Sequence, residues 1–261
     1  MYGFHEDSEW YFRMQQTNCN EYVIPFIEKT YTLKPDAKVL EIGCGTGGVL
    51  AAFLERGYRG AGVDIEPNSL NFARKKLADY IQSGQLIIVL QDIYQVDPET
   101  GLNGKFDLII LKDAIEHIPH QERLMEKMKD FLRPGGVIYF GFPPWQMPFG
   151  GHQQICRSKF LSRLPYFHLL PAPAYKAVLE AFKEGPDGLL EIKKTGISIE
   201  RFEKIAKNAG YKIIDKDYYF INPIYKYKFN MKVRKQSKII ASIPYLRDFL
   251  TTSVFYLIQI D

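Results

Sequence analysis

One decapeptide constrains this chain more than any other feature: Val39, Leu40, Glu41, Ile42, Gly43, Cys44, Gly45, Thr46, Gly47 and Gly48, the end of a short apolar run that opens into glycines. Residues 49–56 continue it with helical character and stop at Gly57, so the stretch predicts strand, tight loop and helix. Glycines are needed where a backbone turns sharply and comes close to a ligand, because a β-carbon would block one or both. Gly43, Gly45 and Gly48 also satisfy the spacing GxGxxG. Alone, that spacing would announce a dinucleotide site equally well.

The segments that follow repeat the alternation. Residues 5–30 first carry Tyr11, Met14, Tyr22 and Phe26 at helical spacing. After the glycine loop, residues 60–63 predict a second strand, and Pro67 opens a helix that runs to about residue 82. Residues 86–90 are a third strand and 106–111 a fourth, apolar throughout as a parallel strand covered on both faces must be. A helix over 121–132, the turn Pro134-Gly135-Gly136 and a strand over 137–142 complete this part. Such alternation implies right-handed crossovers and a parallel, doubly wound α/β sheet. Residues 143–195 break the rhythm: six prolines precede a helix at 174–182, and an insertion of this length without strands reads as a helical cap. A helix over 199–209 and strands over 211–220 and 253–260 follow. The expected organisation is amino-terminal helices (1–35), a core (36–142), the cap (143–195) and a carboxyl-terminal part (196–261).

A chain of 261 residues, 46% hydrophobic and 25% charged, can bury a full core within one domain. His5, Glu6, Asp7 and Glu9 interrupt the only place for a signal peptide, and no stretch approaches the roughly 20 apolar residues of a membrane span. Cys19, Cys44 and Cys156 have no CxxC spacing, so neither disulfides nor a zinc site are expected, and a cytoplasmic location fits. The net charge of +4 is unevenly spread. Lys226, Lys228, Lys232, Arg234, Lys235, Lys238 and Arg247 occupy a stretch, 218–247, without a single Asp or Glu. Such a field attracts anionic substrates, nucleic acids or membrane surfaces, or else marks a solvated face. Because Tyr225, Tyr227, Phe229, Met231 and Val233 interleave with the charges, Lys226 to Lys238 is expected at an acceptor entrance or against a membrane.

The sequence VLEIGCGTG, with its acid two positions before the first glycine, resembles motif I of the class I S-adenosylmethionine (SAM) dependent methyltransferases. The later segments LKDAIEHIP (111–119) and LRPGG (132–136) resemble the ubiquinone- and menaquinone-type, or methyltransferase domain 11, group. The resemblance covers residues 36–142. It implies a Rossmann-like seven-stranded sheet whose last strand, here 253–260, is antiparallel. It also implies SAM as cofactor, with Glu41, Gly43, Cys44, Gly45 and Gly47 around the methionine end and Asp64 on the ribose hydroxyls. Asp92 would accept from the adenine amino group, Ile65 and Ile93 would sandwich the ring, and Leu111 would stand beside the cofactor at the end of the fourth strand.

Transfer to a hydroxyl requires a group that removes its proton. His152 is the sequence candidate, since an ordinary imidazole titrates near 6.5 and the loop carrying it leaves the fifth strand over the expected cleft. Gly150 and Gly151 would supply the reversal that brings it there. Asp113 is its competitor, provided burial raises its pKa. Cys44 reads as a small buried filler and His117 as a ring that satisfies loop backbone, while Trp10 and Tyr11 either cover the cofactor or belong to a helix core. The function expected is methylation of a small molecule, preferably at oxygen. A SAM-binding module without chemistry is the alternative from another class. A nicotinamide oxidoreductase is disfavoured by the later acids. Nucleic acid is an improbable partner, because no recognition module is present and Phe142-Pro143-Pro144-Trp145 differs at both ends from the Asn-Pro-Pro-Tyr of base-flipping enzymes.

Overall fold

The computed structural model describes residues 7–260. Eight strands form one sheet: β1 (Lys38–Ile42), β2 (Arg59–Asp64), β3 (Leu86–Leu90), β4 (Phe106–Lys112), β5 (Leu132–Phe142), β6 (Tyr211–Ile221), β7 (Arg234–Lys235) and β8 (Ser253–Ile260). Their order is β3-β2-β1-β4-β5-β8-β6-β7. β1 to β5 pair in parallel, and β8 runs antiparallel to both β5 and β6. The expected doubly wound sheet with an antiparallel strand 253–260 is therefore present. The count differs by one: Arg234 and Lys235 of the basic segment add a two-residue strand against Tyr219 and Ile221.

The order reverses at β1, whose neighbours are β2 on one side and β4 on the other. Chains leaving the two strands diverge there, so a crevice must open beyond their carboxyl ends. β1 and β4 can occupy the centre because helices cover both faces, which the uninterrupted apolar runs Val39–Leu40 and 108–111 permit. At the opposite end Asp107 ties the strands together, accepting the Lys38 N–H at 2.8 Å and pairing with Arg133 at 2.7 Å. The turn expected at residues 134–136 sits inside the span of β5, where the register jumps from Phe106↔Leu132 to Leu108↔Val137.

The helix Ser8–Asn18 is capped by Asp7, whose side chain accepts from Trp10 N–H, and passes through a π turn (Cys19–Val23) into Ile24–Glu28. It packs on the helix Gly48–Leu54 so closely that a β-carbon at Gly48 would collide with the Phe12 carbonyl oxygen. That glycine serves helix packing. The single helix expected over 67–82 is two, Pro67–Lys76 and Ala78–Gln82, broken at Leu77, whose side chain packs on Gly47. Residues 143–195 contain 3₁₀ turns and the helices Ala172–Ala181 and Pro186–Thr195, with no strand, around a small apolar cluster of their own that includes Leu161, Phe167, Tyr175 and Leu179. Among the described residues no helix is long and apolar enough to cross a membrane.

Arg247 departs from the expectation that it adds to an exposed basic field. It is buried, bonding Glu200 at 2.9 Å and Glu203 at 3.0 Å, because the helix Leu246–Leu250 folds back onto the helix Ile199–Asn208. Beside it Asp248 accepts the Ile199 N–H at 2.8 Å and shares a hydrogen bond with Glu200. Burial and that neighbour raise its carboxyl to about 8. A group held protonated more tightly when folded stabilises fully below its unfolded pKa, near 3.9, and loses that contribution as pH rises through the folded value. Asp248→Asn keeps an acceptor for Ile199 and a donor for Glu200 without a titration. Relative to this variant, the wild-type urea midpoint should fall between about pH 4 and about pH 8 and stay level above that. Parallel profiles for the two proteins would contradict the assignment.

Candidate active site

The glycine loop is organised from its two ends. Gly43 N–H donates to Val63 O at 2.8 Å and Gly45 N–H to Asp64 Oδ2 at 2.7 Å, while Asp64 Oδ1 accepts the Glu66 N–H at 2.9 Å. Gly45 has φ +49° and open space where a β-carbon would stand, whereas a β-carbon at Gly43 would lie 2.9 Å from Ala114 Cβ. One glycine thus admits a left-handed backbone, and the other admits the loop after β4. Between these loops lies a cleft of about 390 Å³, walled by Gly43, Asp64, Ile65, Asp92, Ile93 and the 113–119 segment.

Five of the expected cofactor residues meet in that wall, and Gly45 bonds to one of them. Asp92 accepts the Tyr94 N–H at 3.0 Å through one oxygen. Ile65 is 73% exposed, a bare aliphatic face that a planar ring would cover, opposite the nearly buried Ile93. Glu41 sits behind the loop, 3% exposed, with Oε2 lacking a partner and its carboxyl pushed up by burial. An amino group at the end of a ligand would satisfy that oxygen. Cys44 is buried beside Gly62 with its thiol raised by burial, which suits a filler. Leu111 does not reach the cleft: β4 extends to Lys112, one residue beyond its predicted end, so Leu111 is still wholly inside the core.

The other end of the cleft is charged. Lys112 Nζ, 8% exposed, bonds Asp113 Oδ2 at 2.6 Å. Burial works to raise the Asp113 carboxyl, but the charge and hydrogen bond of Lys112 outweigh it and hold the group below its usual range. That corrects the expectation for Asp113, which is a weak base here. Glu116 is pushed the other way, by burial and then by the Asp113 charge. His117, expected to serve loop backbone, lines the cleft with its pKa lowered by burial, and its ring lies 4.8 Å from that of His152 at 45°. His152 therefore lies beside a residue of the wall, and it carries the left-handed backbone itself, with φ +55°. Gly150 and Gly151 have a different task from the predicted reversal. A β-carbon at either would collide, with Trp145 O or with the His168 side chain, whose Nε2 is 2.8 Å from Trp145 O.

Three residues that the sequence offers only as part of a helix or of the basic segment meet at Asp113. Tyr11 lies close enough to Lys112, Asp113 and Glu41 for their charges to act on it, and its hydroxyl accepts from Gln15 Nε2 at 2.8 Å. Tyr225 and Lys228 approach Asp113 from the basic segment, and burial lowers the Lys228 ammonium. The rest of that segment divides: Lys226 pairs with Glu21 and Lys235 with Asp217, while Lys232, Arg234 and Lys238 are exposed.

A family described as methyltransferase domain matches residues 13–216. The chain belongs to this family. A ubiquinone biosynthesis O-methyltransferase of Pasteurella multocida is 32% identical over 108 residues, 40% of this chain and 45% of that protein. A putative methyltransferase of Bacillus subtilis is 26% identical over 113 residues, 42% of this chain and 43% of its own. The matches thus span less than half the length of these relatives. In fold, a SAM-dependent methyltransferase from Clostridium acetobutylicum aligns over 94% of this chain and 92% of its own, with a TM-score of 0.58 and 15% identity. Phosphoethanolamine N-methyltransferase 2 of Haemonchus contortus, solved with SAM, aligns over 91% of this chain and 51% of its own, with a TM-score of 0.57 and 16% identity.

In a SAM-dependent methyltransferase of this fold, the orphan oxygen of Glu41, the bare face of Ile65 and the acids Asp64 and Asp92 fit a cationic amino-acid nucleoside. The dinucleotide reading of the same glycines falls away with family membership. Asp64→Ala should weaken binding of S-adenosylhomocysteine about 10- to 100-fold, since a charged hydrogen bond is worth roughly 1.5 to 3 kcal/mol and the Gly45 N–H loses its acceptor. Calorimetry finding an unchanged affinity would remove Asp64 from the site.

Proposed function

We propose that the protein transfers the methyl group of SAM to an oxygen of a small acceptor enclosed between the strand ends and residues 143–195. The observation that carries this reading is the pair of imidazoles: His117 lines the cleft, and the ring of His152 lies 4.8 Å from it. SAM supplies an electrophilic methyl on a sulfonium when bound. The chain supplies position: holding reactants in near-attack geometry is worth roughly 7 to 11 kcal/mol. It also supplies a proton acceptor, and His152 takes that role because Lys112 holds Asp113 ionised and weakly basic. The loop 143–152, locked by His168 and Trp145, would help keep water from the acceptor.

Lys228 favours an anionic acceptor, since its partly buried ammonium faces the Asp113 side of the cleft. A membrane-bound source for that acceptor has its own support: exposed Ile239 and Tyr245 follow the exposed cations Lys232, Arg234 and Lys238. The ubiquinone O-methyltransferase relative supports oxygen as the atom methylated.

Incubation with methyl-labelled SAM and cell extract should yield, by mass spectrometry, a product carrying the label. SAM binding without any labelled product would leave a binding module. With that acceptor, His152→Ala should lower kcat by about 100-fold or more and leave SAM affinity nearly unchanged, as loss of a transition-state role does. An undiminished kcat would reduce His152 to a structural part of the loop.

A further inference from the structure

Glu116 poses a problem that methyl transfer does not solve. Its side chain is 3% exposed, and neither carboxylate oxygen has a hydrogen-bond partner. A buried carboxylate left so is costly, and such groups are ordinarily paired or bound to metal. The neighbours that could pair with it are imidazoles: one ligating atom each from Glu116, His117 and His152 lie within 4.8 Å of one another.

We infer that Glu116, His117 and His152 form a binding site for one first-row divalent transition-metal ion at the acceptor end of the cleft. Two imidazoles and one carboxylate suit such ions, whereas an all-oxygen set would suit magnesium or calcium. Ligand atoms of one tetrahedral ion stand roughly 3.3 to 3.6 Å apart, so the three atoms, now within 4.8 Å of one another, would close by about 1 Å around it. The scaffold around them is fixed. Thr195 Oγ1 donates to the Glu116 carbonyl at 2.6 Å, and Gln121 Nε2 bridges Ile115 O at 2.8 Å and Thr195 O at 2.7 Å. On the other side Gly151 is wedged against His168, which holds the backbone next to His152. Backbone partners of this kind orient ligands before an ion arrives.

Three protein ligands leave coordination positions open, and His117 lines the cleft, so those positions face the acceptor. The ion would anchor an oxygen-bearing acceptor there. This use rests on the methyl-transfer reading, but the binding itself does not. With the ion bound, His152 would be a ligand, and a ligating nitrogen has no lone pair for a proton, so the base role given to it above belongs to the metal-free protein.

The test uses the full chain after chelator treatment, titrated with Co²⁺ alone and followed by visible absorption. Wild type should bind one Co²⁺ per chain with ligand-field bands, and Zn²⁺ should displace it. Glu116→Gln and His152→Gln should each weaken Co²⁺ binding at least 10-fold while still binding S-adenosylhomocysteine, which shows that they are folded. Co²⁺ binding no tighter in wild type than in either variant overturns the proposal, and if one variant fails to bind S-adenosylhomocysteine the other decides. Since no acceptor or turnover enters the measurement, its failure leaves the methyl-transfer reading untouched, and the converse holds.

Discussion

The carboxylate of Asp64 does structural work before any ligand is involved. Placed at the end of β2, it accepts the Gly45 N–H with one oxygen and the Glu66 N–H with the other. The first bond holds the glycine loop and the second turns the chain into the helix Pro67–Lys76. The loop in turn admits Ala114 against Gly43, which sets where the segment after β4 runs. The cleft between β1, β2 and β4 thus depends on a few backbone donors converging on one acid. A loop with β-carbons at these positions would fill or displace the space.

Charge divides the cleft into two ends with different chemistry. Asp64 and Asp92 make the first end negative, as befits a cationic cofactor. At the second, Lys112 pairs with Asp113, and burial lowers the pKa of His117. Lys228 arrives from the carboxyl-terminal part. Two carboxyls only three residues apart, Asp113 and Glu116, are pushed in opposite directions because Lys112 bonds one while burial and the Asp113 charge act on the other. That asymmetry makes this end of the cleft suited to proton transfer or metal binding rather than to simple ion pairing.

Much of the sheet is legible in the sequence because β3, most of β1 and β4, and residues 137–142 of β5 are apolar runs bounded by turn residues, and buried parallel strands allow little else. β7 is not, since two charged residues within a basic stretch show no pattern and pair only because Tyr219 and Ile221 are adjacent in space. The cleft residues Gly43, Asp64, Ile65, Asp92 and Ile93 are legible because they stand at fixed places after consecutive strands. Leu111 misleads through a one-residue difference in strand length, and Asp113 through the direction of its shift, which depends on where Lys112 points. The sequence offers the segment holding Tyr225 and Lys228 for an acceptor entrance, but their meeting with Asp113, more than a hundred residues away in the chain, is set by the packing of the carboxyl-terminal part.

The central claim, that this cleft is built for SAM, is tested most directly by calorimetric titration of the intact wild-type protein with S-adenosylhomocysteine and, in parallel, with NADH. The account predicts one molecule of S-adenosylhomocysteine bound per chain, competed by SAM, and no heat of binding with NADH. Saturable binding of NADH with none of S-adenosylhomocysteine would contradict it.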